Sequence, residues 1–179
     1  MNTTIPLVAP RDFIRAITRT ATPVTIVTAQ TDGARLGQTV SAFNRVSDEP
    51  AIIGVCINRR SPIHRVIGCC GAFNVSVLAR EHSGVADSFA GRSGPGRPAF
   101  TFLDQEWRTG DNGLPVFADG LATFECTVHS ITEIGSHLLY LGEVGRAVHR
   151  DAEPLLHQRG SYRTLAEQDA EQEMEGHHA

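Results

Sequence analysis

Residues 121–131 constrain the fold more tightly than any other stretch. Ala122, Phe124, Cys126 and Val128 alternate with Thr123, Glu125 and Thr127, a period of two that suits a strand with one buried and one wet face. A strand needs neighbours, and the chain supplies them. Residues 24–29 and 36–43 are rich in β-branched side chains with Asp32-Gly33 between them, the signal of a tight hairpin. Pro50 introduces residues 51–57, apolar throughout, which reads as a strand buried on both faces. Residues 73–78 and 137–148 add two more strands, the second beside 121–131.

Helical signals are few and short. Asp12 precedes Phe13, Ile14, Ala16 and Ile17 at amphipathic spacing, with Asp12 as an acidic N-cap and Pro23 as the limit. Ser61-Pro62 predicts a helix over 62–68, with Ser61 capping and Pro62 at the first helical position. Val85, Ala86 and Phe89 fit a helix within 80–90 that runs into Gly91, Gly94, Pro95, Gly96 and Pro98, a loop expected to be mobile. Many strands and so few helices predict a mainly β fold, a closed or nearly closed barrel. The 179 residues, 41% hydrophobic and 20% charged, suit one domain. We divide them into an N-terminal extension (1–11), the domain (12–165) and an acidic, solvated tail (166–179).

Several classes of function are disfavoured. The net charge is −4 and all 16 basic residues are arginine, which removes lysine-based covalent chemistry and leaves no basic stripe for nucleic acid. No segment reaches the length of about 20 apolar residues that spans a bilayer, and the first ten residues do not resemble a signal peptide, so a cytoplasmic location is expected. Cys56, Cys69, Cys70 and Cys126 form no C-x-x-C pair, so no metal is expected. His64, His82, His129, His137, His149 and His157 are scattered, without H-E-x-x-H, and G-x-S-x-G, G-x-G-x-x-G and the P-loop are all missing.

Two constellations carry candidate chemistry. In residues 37–47, Gly-Gln-Thr-Val-Ser-Ala-Phe-Asn-Arg-Val-Ser, hydroxyl and amide groups crowd a strand and the turn leaving it. They suit hydrogen bonds to a polar heterocycle or phosphate, or equally the wet face of an ordinary strand. In residues 56–62, Cys-Ile-Asn-Arg-Arg-Ser-Pro, a buried strand ends in two arginines and a helix start. Unpaired helix amides and arginine favour an anion such as phosphate; a solvated arginine pair beside a plain cap is the alternative.

The ordered set of motifs resembles the short-chain flavin reductase family, the FMN-binding split-barrel reductases of two-component flavin monooxygenases. The resemblance rests on Pro23 to Ala29, Gly37-x-Thr39-Val40-Ser41-Ala42-Phe43, Val46-Ser47-x-x-Pro50 and Val55-Cys56-Ile57-Asn58-x-x-Ser61. It continues through Gly71-Ala72-Phe73-Asn74-Val75-Ser76-Val77-Leu78, His137 with Leu141-Gly142-Glu143-Val144, and Pro154-Leu155-Leu156-x-x-Arg159-Gly160-x-Tyr162-Arg163. It implies a Greek-key split β-barrel with a few short flanking helices, usually a homodimer. It implies an NAD(P)H:flavin oxidoreductase using FAD or FMN with NADH or NADPH, and a partner monooxygenase that receives the reduced flavin.

The resemblance also implies site residues. Thr39, Val40, Ser41 and Ala42, with Ile57, Asn58, Arg59 and Ser61, are expected around the flavin phosphate. Ser47, Cys56, Phe73, Asn74 and Val75 are expected near the isoalloxazine, with Phe89 at the pocket edge. His137, the candidate catalytic residue, and Gly160, Tyr162 and Arg163 are expected to face the nicotinamide. Asn74 and Ser76 exchange the polar order of that strand, and Arg45 stands where many relatives have a small hydroxyl residue, as either a contact for the FAD pyrophosphate or a surface cation. A split-barrel flavin-binding protein or oxidase that is no general flavin reductase, and a scaffold for a monooxygenase, are the competing readings.

Overall fold

The computed structural model describes residues 6–166, so the expected acidic tail falls almost entirely outside the described residues. The chain is mainly β. The hairpin of β2 (Thr25–Thr31) and β3 (Ala34–Val40) follows the short β1 (Thr22–Pro23) and turns at Asp32-Gly33, the two-residue loop that favours tight hairpins. β4 (Phe43–Asp48) pairs with β5 (Ala51–Asn58). Helix α2 (Ile63–Cys70) ends at Gly71, whose φ of 66° supplies the left-handed C-terminal cap. There follow β6 (Ala72–Val77), α3 (Ser83–Phe89) and the small hairpin β7 (Trp107–Thr109) and β8 (Pro115–Phe117). The long hairpin β9 (Ala122–Ile134) and β10 (His137–His149) precedes β11 (Leu156–Gln158) and β12 (Ser161–Arg163).

Seven strands form one antiparallel sheet in the order β3-β2-β6-β9-β10-β5-β4. Its two edge strands, β3 and β4, are consecutive in the chain with only Ser41 and Ala42 between them. So short a link makes the sheet curl until its edges meet at a seam, and the Cys56 amide, donating to the Ala42 carbonyl at 3.0 Å, extends the β4–β5 ladder into that joint. β2 is buried on both faces. Val27 and Ala29 join an inner core with Val55, Ile57, Ile67, Phe73 and Tyr140, while Ile26 joins an outer one with Leu78, Phe89, Trp107 and Phe117.

Three expectations are corrected. Helix α1 (Pro10–Ile17) starts after Ala9, Asp12 lies inside its first turn, and it stops well before Pro23. Ser61 does not cap α2: Pro62 holds that position and the Ser61 hydroxyl donates to Gln38 Oε1 instead. The wet face expected of β9 is covered near its start, where Thr123 and Glu125 are buried. The Glu125 carboxylate accepts the Asn112 amide at 3.2 Å and lies 3.6 Å from Arg146. β5, by contrast, is buried on both faces as its apolar run predicts, with Ile52 and Gly54 on one face and Ile53, Val55 and Ile57 on the other, and only Cys56 half-buried within the run after Ala51.

Candidate functional site

A cleft of about 650 Å³ opens along the seam. Residues 35–39 of β3 form one wall, Asn58 and the start of α2 another, and Phe89, Ala90 and Phe100 close it from the α3 side. β3 hydrogen-bonds only to β2 within the sheet, so its outer edge offers unpaired backbone groups to whatever enters. Gly37 makes the α3 wall possible: a Cβ there would lie 2.7 Å from two ring carbons of Phe89. Phe89 also packs edge-on against Phe102 and Trp107, with ring centroids 4.8 and 5.2 Å away.

The other side is polar and cationic. Asn58 organises the strand-to-helix turn, its carbonyl accepting from the Ser61 amide and its Oδ1 from the Arg60 amide, each at 2.9 Å. No side chain caps α2, which leaves its first-turn amides and dipole available to an anion. Among the described residues, neither Arg60 nor Arg35 has a carboxylate at ion-pair distance, and no acidic residue lines the cleft. Free guanidinium groups, helix amides, two amide side chains and an aromatic wall suit a phosphorylated planar ring system.

The seam cleft has two extensions. Asn58 and Arg60 also line an outer cleft of about 610 Å³ with Arg59, Gly135 and Ser136. Thr39 and Ala90 also line a recess of about 140 Å³ with Val24, Ser41, Arg92, His157 and Tyr162. Tyr162 donates to Asp87 Oδ1 at 2.7 Å, and Arg92 donates to both Asp87 and the Tyr162 oxygen. Partial burial works to raise the Asp87 carboxyl, but the Arg92 and Tyr162 bonds outweigh it and hold the group below the usual carboxylate range. Burial and the bond to Asp87 push the Tyr162 hydroxyl up to about 12.

The structure brings some of the expected residues together and separates others. Thr39, Asn58, Ser61 and Phe89 line the seam cleft, with the Thr39 hydroxyl donating to the Ala86 carbonyl at 2.6 Å. Ser41 and Tyr162 share the recess. His137 is exposed, opposite Asn58 in the β5–β10 register, with Nδ1 2.8 Å from the Ser136 hydroxyl. Arg59 turns away from the seam to Glu133 and the Gly135 carbonyl. Ala42 is exposed at the seam, and Ser47 lies on β4 opposite Ile52. Gly160 occupies the β11–β12 turn with φ of 76°, and Arg163 is exposed on β12.

Val40, Ile57, Phe73 and Val75 belong to the inner core, so their side chains do not reach the cleft. Asn74 is also buried and spends its amide on Asn112 and the Pro115 carbonyl. Arg45 pairs with Asp48 at 3.4 Å on exposed β4. Arg35, Gln38, Arg60 and Phe100 were not singled out among the expected contacts. Gln38 and Arg60 lie inside the two constellations that mark the site, whereas nothing in the sequence pattern marks Arg35 or Phe100.

A barrel closed by its own chain, with a cationic and aromatic slot along the seam, defines a binding architecture for a phosphorylated ring cofactor. Residues 17–166 match the flavin reductase like domain, and the chain belongs to that family. It is 35% identical to an FMN reductase (NADH) RutF 1 of Methylorubrum extorquens over 154 residues, covering 86% of this chain and 75% of that one. The reductase component of an FADH(2)-dependent resorcinol hydroxylase from a Rhizobium species is 30% identical, covering 90% of each. Among solved structures, flavin reductase PheA2 superposes with a TM-score of 0.81 at 31% identity, over 89% of this chain and 100% of that one. The Streptomyces globisporus NADH:FAD oxidoreductase SgcE6 gives 0.80 at 30% identity, over 93% and 100%.

Proposed function

We propose that this protein is an NAD(P)H-dependent flavin reductase that supplies reduced flavin to a partner monooxygenase. The observation that carries this reading is the seam cleft itself, where an uncapped helix start with Arg60, Asn58 and Ser61 faces the aromatic wall of Phe89. The names of the relatives, reductases and reductase components of two-component oxygenases, support it. Arg60, Ser61, Asn58 and the first amides of α2 would hold the flavin phosphate, and Thr39 and Ser41, where the cleft meets the recess, would border its ring. A bound flavin supplies the hydride-acceptor chemistry, and the protein supplies position and electrostatics. His137, on the rim beside Asn58, would orient the nicotinamide without exchanging a proton. The exposed apolar face of α1 supports a homodimer.

The test is oxidation of NADH and NADPH by the purified protein with FAD, FMN or no flavin, followed by the loss of near-ultraviolet absorbance. Flavin-dependent oxidation is expected, with His137→Ala raising the nicotinamide KM while flavin binding holds. Silence in every combination would sink the reductase reading.

A further inference from the structure

The Arg35 end of the seam cleft contains more than a flavin mononucleotide requires. Arg35 and Gly37 lie on the same face of β3 because side chains alternate along a strand. The Gly37 position faces Phe89 and Phe102, and the Arg35 guanidinium carbon lies over the Phe102 ring, 4.2 Å from its centroid. That stacking orders the side chain and leaves its outer face and N–H edges open, since no carboxylate among the described residues neutralises it.

Phe100 stands at the same cleft. The residue is 59% exposed and its φ is 55°, a left-handed conformation uncommon for a large side chain. The ring is held there against Gly91, where an added Cβ would come within 3.1 Å of Phe100 Cζ. A large apolar ring kept at the surface beside a planar cation is a surface on which another flat ring can stack.

Position decides what that ring belongs to. The anion-binding group sits where Gln38 meets Ser61 at the start of α2, and Arg35 is three residues back along β3, about 10 Å at the rise of a strand. With its ring at the Thr39–Ser41 end, a ligand whose phosphate is its last group ends at α2 and leaves Arg35 and Phe100 in water. One that continues beyond its phosphate into a second phosphate and a base reaches them.

We infer that Arg35, Phe100 and the Arg35-covered Phe102 form an adenylate subsite, so that the cleft takes FAD in preference to FMN. This rests on the cleft being the flavin site. Both FAD and a nicotinamide dinucleotide carry an adenylate, and the experiment separates them. Wild type, Arg35→Ala and Arg35→Lys are titrated with FAD and with FMN by fluorescence, and the KM for NADH is measured with FMN as acceptor.

The expected result is FAD bound at least tenfold more tightly than FMN by the wild type. Arg35→Ala should lose most of that advantage through weaker FAD binding alone, and Arg35→Lys should recover only part of it. A rise confined to the KM for NADH would keep the adenylate subsite and assign it to the nicotinamide dinucleotide. Equal losses for FAD and FMN, or no change in any arm, would overturn the inference while leaving the flavin site standing. Failure of the wild type to bind either flavin would remove the flavin site and this subsite together.

Discussion

Tyr140 and Tyr162 are the only tyrosines of the chain, and the fold prefers both in their neutral form. Burial raises each, and Tyr162 is pushed up to about 12. Because the raised group is the protonated one, the stability it carries is complete below the ordinary tyrosine value of about 10 and is lost as pH climbs through the folded value. Ultraviolet titration of tyrosinate should therefore show little ionisation at pH about 10 in the native protein and half-ionisation there once it is denatured. Tyr162→Phe should leave a single, smaller step from Tyr140, still above the denatured value. A native titration that overlays the denatured one would refute the assignment. Tyr162 also joins β12 to α3 through Asp87 and Arg92, so the same ionisation loosens one wall of the recess.

At the scale of elements, strand spacing depends on what two strands leave between them. A Cβ on Gly142 of β10 would fall 2.5 Å from Phe73 Cζ and 2.9 Å from Cys126 Cβ, so Gly142→Ala should cost about 1–3 kcal/mol by overpacking. Gly68→Ala, in α2 with open space around it, should be neutral or stabilise by up to about 1 kcal/mol from helix propensity. Urea denaturation of the two variants checks the contrast, and equal midpoints would contradict the packing argument. These elements were legible from period and turn chemistry alone: Asp32-Gly33 gives a hairpin and residues 121–131 a strand. The cover over Glu125 was not: Arg146 stands opposite it on the expected neighbouring strand, but Asn112 reaches it from a loop whose own pattern carries no sign of that contact. In the site, Asn58 and Ser61 were visible as a strand-to-helix turn, while the Gln38–Ser61 bond joins residues 23 apart and no local rule predicts it. Phe73 and Val75 went the other way: a motif in the right order was inner core.

For the whole molecule, the unexplained surface is α1. Phe13, Ile14 and Ile17 are 54%, 57% and 50% exposed, although the end of the helix is tethered where the Arg159 amide donates to the Thr18 carbonyl. An amphipathic helix held in place with its apolar face in water is what a partner surface looks like. Light scattering should give twice the chain mass for the wild type, and Phe13→Asp with Ile17→Asp should give the monomer mass. A wild-type monomer at micromolar concentration would exclude a stable homodimer.

The seam has a consequence for how this architecture tolerates rearrangement. Because Ser41 and Ala42 follow β3 directly and the Ala42 carbonyl is bonded to the Cys56 amide of β5, the gauge of the slot between β3 and Asn58 is held at one end by two peptide units and not by side-chain packing alone. New termini at the Gly135-Ser136 turn would leave that gauge intact. A break between Ser41 and Ala42 would release the strands on either side of it, and the slot would have no fixed width to offer a ligand.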